Sequence, residues 1–181
     1  MKTPEKYGKG YKLFEMDKYG RLFPLFIGKS EETELHKWIP AKFKPTKGFA
    51  KRGGWHIGMD IPDAPWLRGY DGSELGPYKS RFSEGKRVWC EVFYDMTNDY
   101  RNEVSVLPKK CFENKIPYNG FYWFKEGSRG TWVITSAIYV NRILTETEVR
   151  DILNKKRYDP VKSYAPYRKM FEKRKLTNSK R

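Results

Sequence analysis

The apolar residues of this chain are collected in runs of about four to seven residues, separated by stretches rich in glycine and proline. This spacing favours a fold built mainly from short β-strands, because an amphipathic helix needs a longer periodic segment. In the clearest run, Val88-Trp-Cys-Glu-Val-Phe-Tyr94, alternate residues face opposite sides of a strand. Aromatic residues make up 17% of the chain, which excludes a disordered protein. No run approaches about 18 apolar residues, so we expect no transmembrane helix.

Two hairpins and one further strand complete the predicted sheet. The segments 11–16 and 21–27 are strand-like, and the residues between them have turn chemistry. The segments 120–125 and 131–135 form a second hairpin, and residues 138–144 form a last strand. The pattern therefore predicts roughly six strands.

One helix is predicted after the last strand. Thr145 and Glu148 have the spacing of a capping box, and apolar residues then recur at helical intervals. Residues 95–117 are polar and are predicted to be irregular. The fold class expected is α+β: a small, mostly antiparallel β-sheet domain over residues 1–154, with a C-terminal helix and a basic tail over residues 155–181.

Positive charge is concentrated in the predicted tail. The formal net charge is +15, and residues 155–181 contain eleven Lys or Arg residues against two acidic ones. Such a block is typical of a protein that binds a polyanion, because each cation that neutralises a phosphate releases a condensed counterion. The alternative is a solvated tail that only aids solubility. The tail residues predicted to bind nucleic acid are Lys155, Lys156, Arg157, Arg168, Lys169, Lys173, Arg174 and Lys175.

Residues 50–58, Ala-Lys-Arg-Gly-Gly-Trp-His-Ile-Gly, are the segment whose residue types best suggest a site. We predict a glycine-rich basic loop in which Lys51 and Arg52 meet a phosphate. Trp55 in this loop can stack on a base, and the imidazole of His56 can transfer a proton near neutral pH. The alternative is a histidine that packs beside the tryptophan and bonds a backbone carbonyl.

Other chemistries are not indicated by the residue pattern. The chain has no P-loop, no dinucleotide-binding glycine motif and no Cys-x-x-Cys, so we expect no metal site and no cofactor. Cys90 lies in the middle of a predicted strand and is expected to be buried rather than reactive. Two cysteines in the whole chain fit a reducing compartment, and the first residues have no apolar core typical of a secretion signal.

Two motifs resemble an uncharacterised domain of gut bacteriophages, including crAss-like phages, and of mobile elements in Bacteroidales. The first is Gly54-Trp-His-Ile-Gly58, followed by Pro62, Ala64 and Leu67. The second is Trp132-Val-Ile-Thr, followed by the segment 140–149, Val-Asn-Arg-Ile-Leu-Thr-x-x-Glu-Val. The resemblance covers roughly residues 11–153 and implies a phage context rather than a particular reaction.

Two weaker likenesses concern possible catalytic residues. A histidine near a glycine, a small β core and a late glutamate are similar to ADP-ribosyltransferases, in which His56 would contact the NAD ribose and Glu148 would be catalytic. Small endoribonucleases of the barnase or RelE type are also similar, and there His56 would move a proton while Arg52 or Arg142 meets the phosphate. Both likenesses are analogies at the level of the fold.

The favoured hypothesis from sequence is a phage-encoded basic protein, in the host cytoplasm or the virion, that binds nucleic acid or packs with it. An enzyme acting on RNA or NAD through His56 is the first alternative. The second is a structural or inhibitory protein that docks on a virion or host protein. We expect no membrane partner, because the tail lacks a clear apolar helix face.

Overall fold

The alternating runs of the sequence form strands in the computed structural model, which describes residues 1–26, 28–43, 53–61, 80–108, 111–125 and 131–158. Nine strands and two helices lie in these ranges. They are β1 (Tyr7–Met16), β2 (Leu22–Pro24), β3 (Trp38–Pro40), β4 (Trp55–Gly58), β5 (Lys86–Asp95), β6 (Asn98–Asp99), α1 (Arg101–Val106), β7 (Gly120–Lys125), β8 (Thr131–Thr135), β9 (Ala137–Ile143) and α2 (Glu146–Tyr158). The fold is therefore mostly β-sheet with two helices in the described part of the chain.

The sheet is organised around the antiparallel pair of its two longest strands, β1 and β5. Ten residue pairs join them, from Tyr7 opposite Asp95 to Met16 opposite Lys86. The full strand order is β3-β9-β5-β1-β4-β8-β7-β6, with β2 paired to β1. Every pairing between named strands is antiparallel except β6 with β7. The mostly antiparallel sheet predicted from sequence is present.

The sheet is strongly curled. Only Ser136 separates β8 from β9 in sequence, yet the two strands lie four places apart in the sheet. The rings of Tyr94 on β5 and Phe121 on β7 are also four strands apart, and their centroids lie 5.8 Å from each other. A flat sheet would separate such residues by about 19 Å. The curl is held where Thr135 donates from its hydroxyl to the Asp95 carbonyl at 3.0 Å and Ser136 donates to the Asp95 carboxylate at 2.8 Å.

Curling divides the apolar residues into an inner core and an outer core. The inner core is enclosed by the sheet and includes Phe14, Val92 and Phe121. It is so full that a Cβ on Gly10 would lie 2.4 Å from the Cγ2 atom of Ile57. The outer core forms where α2 covers the opposite face of β1 and β5. Its members are Leu13, Ile61, Trp89, Leu144, Val149 and Leu153.

The structure also corrects details of the sequence prediction. Residues 95–117, predicted to be irregular, contain β6 and α1. These elements have too few apolar residues for a periodic signal, and no residue of α1 is buried. Helix α2 spans Glu146–Tyr158, so the first residues of the predicted tail belong to it. Most of the predicted tail, residues 159–181, lies outside the described residues, so the tail stays a prediction.

The start of α2 has the capping geometry that the sequence predicts. The backbone N–H of Glu148 donates to the Thr145 hydroxyl at 3.2 Å, and the backbone N–H of Thr145 donates to the Glu148 carboxylate at 2.7 Å. This capping box is confirmed. Neither helix in the described ranges is long and apolar enough to cross a membrane.

Candidate functional site

Trp55 lies in β4 and not in the loop predicted for it. The strand pairs with β8, with Trp55 opposite Thr135, and the ring packs against the inner core. Its indole N–H donates to the Ile39 carbonyl at 3.0 Å. Gly54 precedes it at φ +123°, where a Cβ would meet the Thr135 carbonyl oxygen at 2.9 Å, so a glycine is needed there. The loop position predicted for Trp55 is therefore wrong, and the ring has a packing role.

His56 lies on the opposite face of β4 from Trp55, because neighbouring residues of a strand alternate. It is half-buried and pairs through its backbone with Ile134 of β8. The two cations predicted to accompany it, Lys51 and Arg52, lie outside the described residues. The predicted grouping of His56 with a phosphate-binding pair thus stays a prediction.

Lys12 is a partly buried cation that the sequence pattern did not single out. It lies on the inner face of β1 beside Phe14, and its ammonium donates to the His56 carbonyl at 3.0 Å. The same ammonium lies 5.4 Å from the centroid of the Trp55 ring and 5.7 Å from that of Phe14. Desolvation by burial lowers the pKa of Lys12 to about 8. The sequence feature that could have identified Lys12 as inward-facing is its spacing, because it alternates with Gly10 and Phe14 on the inward side of β1.

Glu148 and Arg142 bond to each other rather than to His56. The Arg142 guanidinium donates to the Glu148 carboxylate, and it also lies 3.7 Å from the Glu91 carboxylate. The pKa of Glu148 is lowered by the backbone N–H of Thr145 and then by Arg142. Strand β9, which carries Arg142, lies three places from β4 in the sheet order. The partners that the structure gives Arg142 are thus the carboxylates of Glu148 and Glu91.

The described residues contain little other reactive chemistry. Cys90 is fully buried, and burial raises the pKa of its thiol to about 12, so the prediction that it is a packing residue is confirmed. Within the described ranges, no group of three or more His, Cys, Asp or Glu residues is placed to hold a metal ion.

Charge in the body of the fold is nearly balanced. Up to residue 154, the described ranges contain 17 Lys or Arg residues and 16 Asp or Glu residues. Five arginines of this body form ion pairs with carboxylates, and they are Arg21, Arg87, Arg101, Arg142 and Arg150. The folded body therefore contributes almost none of the net charge of +15.

Three segments carry the positive surplus. Residues 44–52 contain four Lys or Arg residues and no acidic residue, and residues 109–110 are both lysine. Residues 155–181 contain eleven cations against two acids. We call these three the cationic segments. Lys155, Lys156 and Arg157 begin the third of them within α2, whereas Arg168, Lys169, Lys173, Arg174 and Lys175 lie outside the described residues.

The first two cationic segments join the described structure close to each other. Gly53 follows residues 44–52, and a Cβ there would lie 2.9 Å from the carbonyl oxygen of Lys115. Phe112, just after residues 109–110, packs on Tyr122 of β7 at 5.6 Å between ring centroids. The described residues that follow these two segments, Gly53 and residues 111–116, therefore lie close together beside β7.

Comparisons with protein-family models, curated proteins and solved structures found no match to this chain.

Proposed function

We propose that the protein binds nucleic acid through its three cationic segments. The observation that carries this proposal is the separation of charge. The body is nearly balanced and five of its six described arginines pair with carboxylates, whereas the net +15 resides in residues 44–52, 109–110 and 155–181. Clustered cations release counterions on meeting phosphates, which is the main source of sequence-independent affinity.

A surplus of positive charge that served only to keep the protein soluble would not need to be clustered in a few segments. Exposed charges of both signs spread over a surface keep a protein soluble, and the body already has that arrangement. Clusters of one sign create a local potential that attracts a polyanion. The third segment also interleaves its cations with Tyr158, Tyr164, Tyr167 and Phe171, rings that can stack on bases. This interleaving favours nucleic acid over an acidic protein as the partner.

The setting proposed for this binding is the one that the motif resemblance implies, a phage protein in the host cytoplasm or the virion. The enzyme alternative is ranked second, because two of its candidate residues, Arg142 and Glu148, are engaged with each other. Binding in the proposed form needs no catalytic group.

The test is a comparison of two full-length variants that lose the same charge. In the first, Arg168, Lys169, Lys173, Arg174 and Lys175 are replaced by Gln. In the second, the control, five exposed lysines of the body are replaced by Gln, and they are Lys2, Lys18, Lys29, Lys42 and Lys86. Binding of both variants and the parent to a labelled single-stranded DNA is measured by fluorescence anisotropy from 50 to 300 mM salt.

The first variant should lose up to about 3.5 from the slope of log K against log salt, because each single-strand phosphate contact contributes about 0.7. The control should keep nearly the parental slope, since its lysines lie in a balanced surface. Equal losses in the two variants would show that only net charge matters and would contradict the proposal. Absence of any binding by the parent would also overturn it.

A further inference from the structure

Four aromatic rings form a patch on the outer face of the sheet, on four neighbouring strands. We call Tyr7, Trp38, Phe93 and Tyr139 the aromatic patch; they lie on β1, β3, β5 and β9. Adjacent ring centroids are 5.4 Å apart for Tyr7 and Phe93, 5.7 Å for Trp38 and Tyr139, and 6.0 Å for Phe93 and Tyr139. The rings are tilted by 34° to 60° to each other, so no two of them stack flat.

The patch is open to solvent within the described part of the chain. Tyr7 is 53% exposed, and the other three rings are half-buried. None of the four belongs to the inner or outer core. Helix α2 covers the same face of the sheet further along, at Leu13 and Trp89, and this leaves the rings uncovered by it. Contiguous exposed aromatic surface on a folded protein marks an interaction site.

The charges around the patch do not repel an anion. Lys9 lies on the same face of β1, opposite Phe93. Two carboxylates lie close by. Asp95, opposite Tyr7, is buried and accepts from the Ser136 hydroxyl at 2.8 Å. Glu91 is engaged by Arg142 at 3.7 Å, by Lys9 at 3.9 Å and by the amide of Asn141 at 2.9 Å. Its negative charge is therefore compensated by cations that lie beside the rings.

The third cationic segment starts on the same side of the sheet. Helix α2 packs on Trp89, and Phe93 lies four residues further along the same face of β5, at a distance of about 13 Å. Helix α2, whose sequence contains the first three cations of residues 155–181, therefore lies on the same face of the sheet as the aromatic patch.

We infer that the aromatic patch stacks the bases of single-stranded nucleic acid, an inference that rests on the proposed function and names its substrate class. Only a single strand presents free base faces, since in a duplex both faces of each base are already stacked. Rings on neighbouring strands of an open sheet face can hold about two or three unpaired bases. Stacking on aromatic rings accepts every base, so this site adds affinity without sequence preference.

The experiment separates base stacking from charge by comparing three ligands of equal length. They are a labelled oligothymidylate of 12 nucleotides, an abasic strand with the same phosphates, and a 12-base-pair duplex. The variants are Tyr7→Leu and Tyr139→Leu, with Tyr7→Phe as the variant that keeps a ring. Tyr19→Leu is the matched control, since Tyr19 is 72% exposed in the β1–β2 turn, outside the patch. Thermal unfolding checks that each variant folds.

The full-length protein should bind oligothymidylate more tightly than the abasic strand. Tyr7→Leu and Tyr139→Leu should each weaken oligothymidylate binding by about 5- to 150-fold and leave abasic binding unchanged. Tyr7→Phe and Tyr19→Leu should match the parent. Because Tyr7 is more than half exposed, its replacement removes little packing and keeps the test decisive even if Tyr139→Leu unfolds.

Equal binding of the oligothymidylate and abasic strands, unaffected by the variants, would overturn this inference and leave the proposed function intact. Absence of binding to all three ligands would overturn both. Loss of binding to a neutral polysaccharide such as soluble starch in Tyr7→Leu, with oligothymidylate binding unchanged, would assign the patch to sugars and would also refute the inference.

Discussion

Replacing the partly buried Lys12 with methionine tests the inner core most sharply. The substitution keeps the length of the side chain and removes the ammonium that lies between the Trp55 and Phe14 rings. The structure predicts that this ammonium is costly to bury, because in the described ranges no carboxylate forms an ion pair with it. The ammonium donates a hydrogen bond to the His56 carbonyl, a neutral acceptor.

The size of the effect follows from the pKa of Lys12, which is about 8 in the fold and 10.5 for an ordinary lysine. Below pH 8 both the folded and the unfolded chain hold the proton, and the folded state bears the full burial penalty. Between about pH 8 and 10.5 the folded chain has released the proton and the unfolded chain still holds it, so stability rises with pH. The gap between the two pKa values corresponds to about 3 kcal/mol.

The assay is urea unfolding of the parent and of Lys12→Met at several pH values from 7 to 10.5. Allowing about 1 kcal/mol for the lost hydrogen bond, the variant should be about 2 kcal/mol more stable than the parent at pH 7. As the pH rises to 10.5 the parent should gain about 3 kcal/mol from Lys12, so the order reverses and the parent becomes about 1 kcal/mol more stable than the variant. A difference that stays constant across this range would refute the burial of a charged Lys12.

Three further substitutions or reactions test other parts of the fold. Thr145→Ala should lower the free energy of unfolding by about 1 kcal/mol by removing the capping hydroxyl of α2, and an unchanged urea midpoint would contradict the cap. Gly10→Ala should destabilise by about 1–3 kcal/mol, because its Cβ would collide with Ile57 in the filled inner core; a neutral effect would show that the core has spare room. A thiol reagent at pH 8 should label Cys111 in the native protein and reach Cys90 only after denaturation. Rapid native labelling of both cysteines would refute the burial of Cys90.

The strands and the capped helix could be predicted because their signals are local. The alternation in residues 88–94 predicts β5, and in the structure Val88 and Val92 face the inner core while Trp89 faces α2. The spacing of Thr145 and Glu148 predicts the capping box in the same way, since both hydrogen bonds join residues within one turn. Such patterns are properties of a short stretch of chain.

The curl of the sheet could not be predicted, because it depends on pairings between distant segments. Nothing local to Ser136 indicates that β8 and β9 lie four strands apart, and the aromatic patch forms only when four separate strands are placed side by side. Lys12 was missed for the same reason, since a lysine in a strand usually faces solvent. Its inward position follows from the register of β1 with β5, where it lies opposite Cys90.

Trp55 shows how composition misled the site prediction. The glycines before it, and the prolines of residues 62–65 after it, favour a loop, yet four residues pair with β8 and insert the ring into the core. Gly54 is needed for close approach to Thr135 rather than for approach to a ligand. A glycine-rich segment can therefore mark tight packing as readily as it marks a binding loop.

The most direct test of the account is the salt dependence of binding by the unmodified full-length protein to a single-stranded DNA. If the cationic segments together contact about six to ten phosphates of the single strand, affinity should fall by roughly 300- to 16,000-fold between 50 and 200 mM salt. An affinity that does not change over this range, or no binding at 50 mM salt, would contradict the claim that these segments bind nucleic acid.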